Sequence, residues 1–217
     1  ALITIYDNLL SKSIPILVSF HGYDASSLLK HSSYVKRLIS LFKEPNVFGI
    51  AVSNDMKSRI GSYGINLERI SINYYGVDTL FFVPSIIKKD RIFLQVSNFV
   101  EKKGHFITLM AFKKFLSIPK ENHSEYRLVL AGDGPLREQA MKLAKELGII
   151  SNVEFSGYVD RNQTKFLMNK AFCFVHHSIT ARNGDKEGIP NAIMEAMSMN
   201  LPVISTRHSG IPELVRE

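Results

Sequence analysis

Paired cysteines, clustered acidic residues and long apolar runs are all missing from this 217-residue chain. Its one cysteine, Cys173, sits in Ala171-Phe-Cys-Phe-Val175, which reads as a buried strand. A single thiol excludes an internal disulfide and a multi-cysteine metal site, and it suits a reducing compartment. No apolar run reaches the roughly 18 residues that span a bilayer, and the first residues lack the basic start, apolar stretch and small-residue cleavage site of a leader. No clustered acidic motif is there to hold a divalent cation on a phosphate. No basic stripe is interleaved with aromatics, which argues against nucleic acid as a partner despite a sequence pI of 9.4. Internal repeats and low-complexity tracts are absent as well.

What is present is ordinary globular composition, 45% apolar and 22% charged. The net charge of +7 is spread along the chain: 8 basic against 6 acidic residues in 1–84, and 19 against 14 in 85–217. A basic balance suits an anionic partner, either a phosphate-bearing ligand or an anionic membrane surface.

Short apolar runs rich in β-branched residues alternate with amphipathic segments. In the first part, strands are expected at Ile16–Phe20, Phe48–Val52 and Arg69–Asn73, with a helix over Ala25–Phe42 and a second helix capped by Ser53 or Asn54. The periodicity lapses after Tyr75-Gly-Val-Asp78, through Pro84 and Lys88-Lys-Asp90, which reads as a linker. Beyond it, strands are expected at Ile92–Val96, Arg127–Ala131, Val153–Phe155, Cys173–His176 and Pro202–Thr206. Helices are expected at Phe106–Leu116, Pro135–Leu147, Gln163–Asn169, Pro190–Met199 and Ile211–Arg216. The strand runs are mostly apolar rather than cleanly alternating, as in parallel strands buried on both faces. The fold class is therefore α/β, with ligands expected at loops that follow the strands. Three strands are few for a sheet of this class, and no cap follows the last helix, so a fragment is expected: a partial domain over 1–84 and a second domain over 85–217.

Three loops carry candidate chemistry. Glu187-Gly-Ile-Pro-Asn-Ala-Ile-Met-Glu195 puts one carboxylate before a helix start and one inside the helix. The amides of Gly188, Ile189 and Asn191 would offer N–H groups to an anion there. On spacing alone, two ordinary acids, one near a helix start and one solvated on the helix, are the favoured reading. Ser97-Asn-Phe-Val-Glu-Lys-Lys-Gly104 follows a strand and opens a helix, so a lysine there can reach a diphosphate. Gly132 and Gly134, in Ala131-Gly-Asp-Gly-Pro135, either admit a ligand to the backbone or only make a tight turn.

Taken together and in order, Glu-Lys-Lys-Gly, Ala-Gly-Asp-Gly-Pro-Leu, Phe-Ser-Gly-Tyr-Val, Glu-Gly-Ile-Pro-Asn-x3-Glu-Ala-Met and Ser-Gly-Ile-Pro-Glu-Leu resemble the family 4 retaining glycosyltransferases of GT-B fold. The wording around His177 and Ser205 is similar to members that build exopolysaccharides of the colanic-acid type. The resemblance implies two Rossmann-like domains, with the first incomplete here. It implies transfer of a hexosyl group from a UDP- or GDP-sugar to a glycan or lipid-linked sugar acceptor, with no cofactor and no metal. It also implies a cytoplasmic protein, with contact at the inner membrane face left open. Residue by residue it assigns Glu187 to the donor sugar, Glu195 to the ribose, Lys103 to the diphosphate and Val159 to the nucleobase. His21, in Phe20-His-Gly-Tyr-Asp24, would face the sugar.

The chain departs from the family in three places. Asn98 stands where an arginine usually meets the diphosphate, and Lys102 is the candidate to make up that charge. Tyr75 replaces the usual Asn before Gly-Val-Asp. The glycine-rich loop on the acceptor side is absent. A non-catalytic nucleotide-sugar binding fragment, a GT-B sugar-nucleotide epimerase and a phosphorylase are the alternatives.

Overall fold

The computed structural model describes residues 14–85, 89–119 and 123–216; linker residues 86–88 lie outside them. The chain forms two compact units. The first holds residues 14–75, together with Thr180–Ile189 and residues 208–216. The second holds Gly76–Ile179 and Pro190–Arg207.

In the first unit, β1 (Ile16–Phe20), β2 (Val47–Ala51) and β3 (Ile70–Ile72) form a parallel sheet in that order. Phe20, Val47, Ala51 and Ile70 bury their side chains against α1 (Ser32–Lys43) and α2 (Asn54–Gly61). The Ser53 hydroxyl accepts the Met56 amide at 3.1 Å and starts α2, which satisfies one of the helix's unpaired donors. The expected helix from Ala25 to Phe42 is broken: two short turns, Tyr23–Ala25 and Leu28–Lys30, precede α1. Two serine hydroxyls are engaged at the break, one within the turn and one far away in the chain. Ser26 donates to the Gly22 carbonyl at 2.7 Å, and Ser27 donates to the Asn183 carbonyl at 3.0 Å. His31, with extended backbone, then starts the helix proper.

In the second unit, β4 (Ile92–Val96), β5 (Arg127–Ala131), β6 (Val153–Gly157), β7 (Cys173–His176) and β8 (Val203–Ser205) form a parallel sheet ordered β6-β5-β4-β7-β8. The expected ends of β4, β5 and β7 match to the residue. Helices α3 (His105–Leu116), α4 (Arg137–Glu146), α5 (Arg161–Lys170) and α6 (Asn191–Ser198) connect the strands, and α7 (Ile211–Leu214) belongs to the first unit. Helix α5 opens with a capping box, Asp160 accepting the Gln163 amide while Gln163 accepts the Asp160 amide. Pro190 lies one residue before α6, with an extended ψ of 120°. The strand order reverses between β4 and β7, and open sheets of this class bind ligands at the carboxyl ends of the strands flanking such a reversal.

Candidate functional site

The loops after β4 and β7 meet at that reversal. A short 3-10 turn, Glu101–Lys103, ends at Gly104, whose φ is +62°. A β-carbon at Gly104 would strike the His177 carbonyl oxygen, so only glycine lets the Lys103 loop lie this close to the end of β7. The Ile179 amide donates to the Lys102 carbonyl at 2.9 Å and fastens the same two loops. Lys103 is half-buried, and its charge is felt by the buried rings of His105 and His176.

The loops after β5 and β6 are laced to this one. Gly132 donates to the Gly157 carbonyl at 2.7 Å, and the Phe99 amide donates to the Asp133 carbonyl at 2.9 Å. Gly132 has φ of +140° and lies against the Ser97 carbonyl; Gly134 has φ of +150° and a β-carbon there would sit 2.8 Å from the Phe99 amide nitrogen. Both glycines therefore bring backbone to backbone beside Asn98, which is exposed. Glu195, the fifth residue of α6, is half-buried. Burial pushes its pKa up, and the nearby Arg161 guanidinium opposes that shift. Arg161 also pairs with Asp78 at 2.7 Å and stacks 4.2 Å over Phe81. Val159 is half-buried two residues before Arg161, and Asn191 is exposed at the start of α6. An apolar cavity of about 360 Å³ in this unit is lined by Phe93, Phe112, Phe115 and Phe172, among others. It includes none of the expected donor residues, and its apolar wall offers nothing to a diphosphate.

The first unit gathers His21, Glu187 and Gly188. Gly188 lies where a β-carbon would be 3.3 Å from the His21 carbonyl. Glu187 and Ile189 are buried, Glu187 at 7% exposure. The Ser209 hydroxyl is 2.6 Å from the Glu187 carbonyl and 2.8 Å from Asp55, and Arg59 donates to it at 2.8 Å. Ser209 is held at φ of +49° to make these contacts. His21 and Tyr75 stack with rings 6° from parallel, and His21 Nδ1 is hydrogen-bonded to the Tyr75 hydroxyl at 2.5 Å. Burial raises the Tyr75 pKa, and the charges of Asp24 and Glu187 add to that.

Sequence reasoning missed Arg161, Ser209 and the buried Gln95. Arg161 had a signal, since the Asp-x-x-Gln box places it in the first helical turn. Gln95 had one too, as an amide inside the apolar run Ile-Phe-Leu-Gln-Val. Ser209 had none.

Residues 77–217 match the family described as Glycosyl transferases group 1. WcaL of Escherichia coli, named for a glycosyltransferase of colanic acid biosynthesis, is 32% identical over 203 residues, covering 92% of this chain and 49% of that protein. The amylovoran biosynthesis glycosyltransferase AmsK of Erwinia amylovora is 29% identical over 199 residues, covering 90% and 48%. The chain thus spans about half the length of these relatives. Among solved structures, Anabaena HepE in complex with UDP aligns over 100% of this chain and 60% of its own, with a TM-score of 0.81 at 21% identity. HepE in complex with UDP-glucose aligns over 94% and 56%, with a TM-score of 0.77 at 20% identity. These neighbours establish the GT-B fold class for the chain.

Proposed function

The chain belongs to the group 1 glycosyl transferases, and from that premise we propose that it is the greater part of a donor-binding region of a retaining hexosyltransferase in exopolysaccharide synthesis. The donor is a nucleoside diphosphate sugar and the acceptor a glycan or lipid-linked sugar. The observation that carries this reading is the Lys103–Gly104 loop, pressed onto the end of β7 at the strand-order reversal, with the Gly132 and Gly134 backbone beside it.

Lys103 takes the diphosphate, joined by amides at the start of α6 from Asn191 onward. Glu195 accepts hydrogen bonds from the ribose hydroxyls, and the Val159 backbone meets the base. Glu187, with its main chain fixed by Ser209, accepts hydrogen bonds from the hydroxyls of the transferred sugar, beside the amides of Gly188 and Ile189. His21 serves the same sugar. No side chain attacks the anomeric carbon. As the bond to the diphosphate breaks, charge develops on the departing oxygen, and Lys103 and the α6 amides stabilise it electrostatically. That oxygen accepts the proton of the attacking hydroxyl on the same face. The lysine and the helix dipole meet the diphosphate charge without a metal ion.

Calorimetric titration with UDP and with GDP tests the reading. One of them binds, duplex DNA does not, and Lys103→Ala weakens the nucleotide about 10- to 100-fold, the worth of one charge-assisted hydrogen bond. An unchanged dissociation constant in Lys103→Ala removes the lysine from the site. Stabilisation by DNA in place of nucleotide refutes the whole reading.

A further inference from the structure

Strand β4 carries a primary amide where its neighbours are apolar, and Gln95 is 0% exposed. A buried amide is tolerated only when its donors and acceptor are paired, and here each partner can be named. Gln95 Nε2 donates to the Lys103 carbonyl at 2.9 Å and to Ser97 Oγ at 3.2 Å. Gln95 Oε1 accepts the Thr108 hydroxyl at 2.7 Å. A hydroxyl has one proton, so Thr108 Oγ1 is left to accept from His177 Nδ1 at 2.9 Å. That assigns the Nδ1–H tautomer to His177, and burial, which lowers its pKa, keeps the ring neutral at pH 7.

A directed chain of hydrogen bonds therefore runs from His177 after β7, through Thr108 on α3 and Gln95 on β4, to the main chain of Lys103. The helix that follows does not hold that carbonyl, since the amides of Ile107 and Thr108 both turn to Gly104. The Cα that carries the lysine side chain lies between two held peptides, the preceding one through its amide on the Val100 carbonyl at 3.0 Å and the following one through the carbonyl that Gln95 grips.

We propose that Gln95, oriented by Thr108 and His177, is a positioning residue that aims Lys103 at the diphosphate; this rests on the reading of Lys103 given above. Gln95 touches no substrate atom. Its effect is transmitted through Lys103 and vanishes when the lysine is gone.

The test is a double-mutant cycle on UDP or GDP affinity, whichever binds the intact chain, read by calorimetry with circular dichroism as the folding control. Gln95→Leu keeps the volume and removes the amide, and it weakens the nucleotide about tenfold. Gln95→Leu combined with Lys103→Ala loses no more than Lys103→Ala alone, which is the signature of one residue acting through the other. Additive losses, or a silent Gln95→Leu beside an effective Lys103→Ala, overturn the proposal and leave the reading of Lys103 standing. A silent Lys103→Ala overturns both. Thr108→Val, which deletes the hydroxyl at nearly constant volume, serves if Gln95→Leu does not fold. It weakens the nucleotide several-fold and Thr108→Ser restores it, whereas equal binding by the two variants overturns the proposal.

Discussion

Substituting His105 by Phe is expected to flatten the dependence of stability on pH. The His105 ring is 4% exposed and stacks on Phe99 with centroids 3.9 Å apart and planes 13° from parallel. Burial, and then the nearby Lys103 charge, push its pKa from 6.5 to about 4, against a hydrogen bond that works the other way. Between those two values the unfolded chain holds a proton that the folded chain does not, so stability rises with pH across this window and is lost as pH falls through it. One proton is worth about 1.4 kcal/mol per pH unit, and the full window is worth about 3 kcal/mol. His176, 0% exposed and pushed well below 6.5 by the same burial, adds in the same sense. Glu195, raised by burial, pulls the slope the other way from pH 4.5 upward, but equally in both proteins. The difference between wild type and His105→Phe therefore reports His105, together with the smaller part of the His176 shift that comes from the His105 charge. Phe preserves the stack on Phe99, and Ser97 keeps the Gln95 amide as partner. Urea unfolding followed by circular dichroism at half-unit steps from pH 7.5 to 4.5 reads both slopes. His105→Phe should lose about 1.4 kcal/mol per pH unit of slope in the lower half of that range and nothing above pH 7. Parallel curves for the two proteins would refute the assignment of a buried, neutral ring to His105.

Three further outcomes are expected. Gly104→Ala forces a side chain into the left-handed region and against the His177 carbonyl, costing at least about 1 kcal/mol in thermal unfolding and weakening whichever of UDP or GDP binds; an alanine variant with native affinity would show that the loop need not approach β7. Glu187→Ala in the full-length protein lowers the rate of sugar transfer roughly 100-fold while nucleotide affinity changes only a few-fold, in keeping with a contact made to the transferred sugar; equal losses in both would remove Glu187 from the sugar. Ser53→Ala deletes the cap of α2 and lowers stability by about 1 kcal/mol, and a melting temperature equal to wild type would assign the α2 start to packing alone.

The ends of β4, β5 and β7 were legible because each is a short, mostly apolar run without the alternation of a half-exposed strand, which is the pattern of a parallel strand covered on both faces. The glycines at 104, 132 and 134 were legible for a related reason, since a tight turn after a strand requires backbone angles that other residues resist. The resemblance to a nucleotide-sugar family rested on such local constraints, repeated in order. The break in Ala25–Phe42 was not legible. Local periodicity favours one helix there, and it is overruled by a carbonyl at Asn183, some 150 residues away. Distance in sequence likewise hid the gathering of Thr180–Ile189 and the stretch from His208 with the first unit. There Ser26 meets Asp185 at 3.3 Å, and Glu213 accepts from Asn54 and from Tyr74 at 2.9 Å. By itself the sequence determined the parallel α/β architecture and the backbone of the glycine-containing loops after β4 and β5, because those depend on residues close in the chain. The tertiary structure alone decided which side chains orient them. Gln95, Thr108 and His177 on three elements, and Ser209 with Asp55 and Arg59, become partners only once folding brings their donors and acceptors within hydrogen-bond reach.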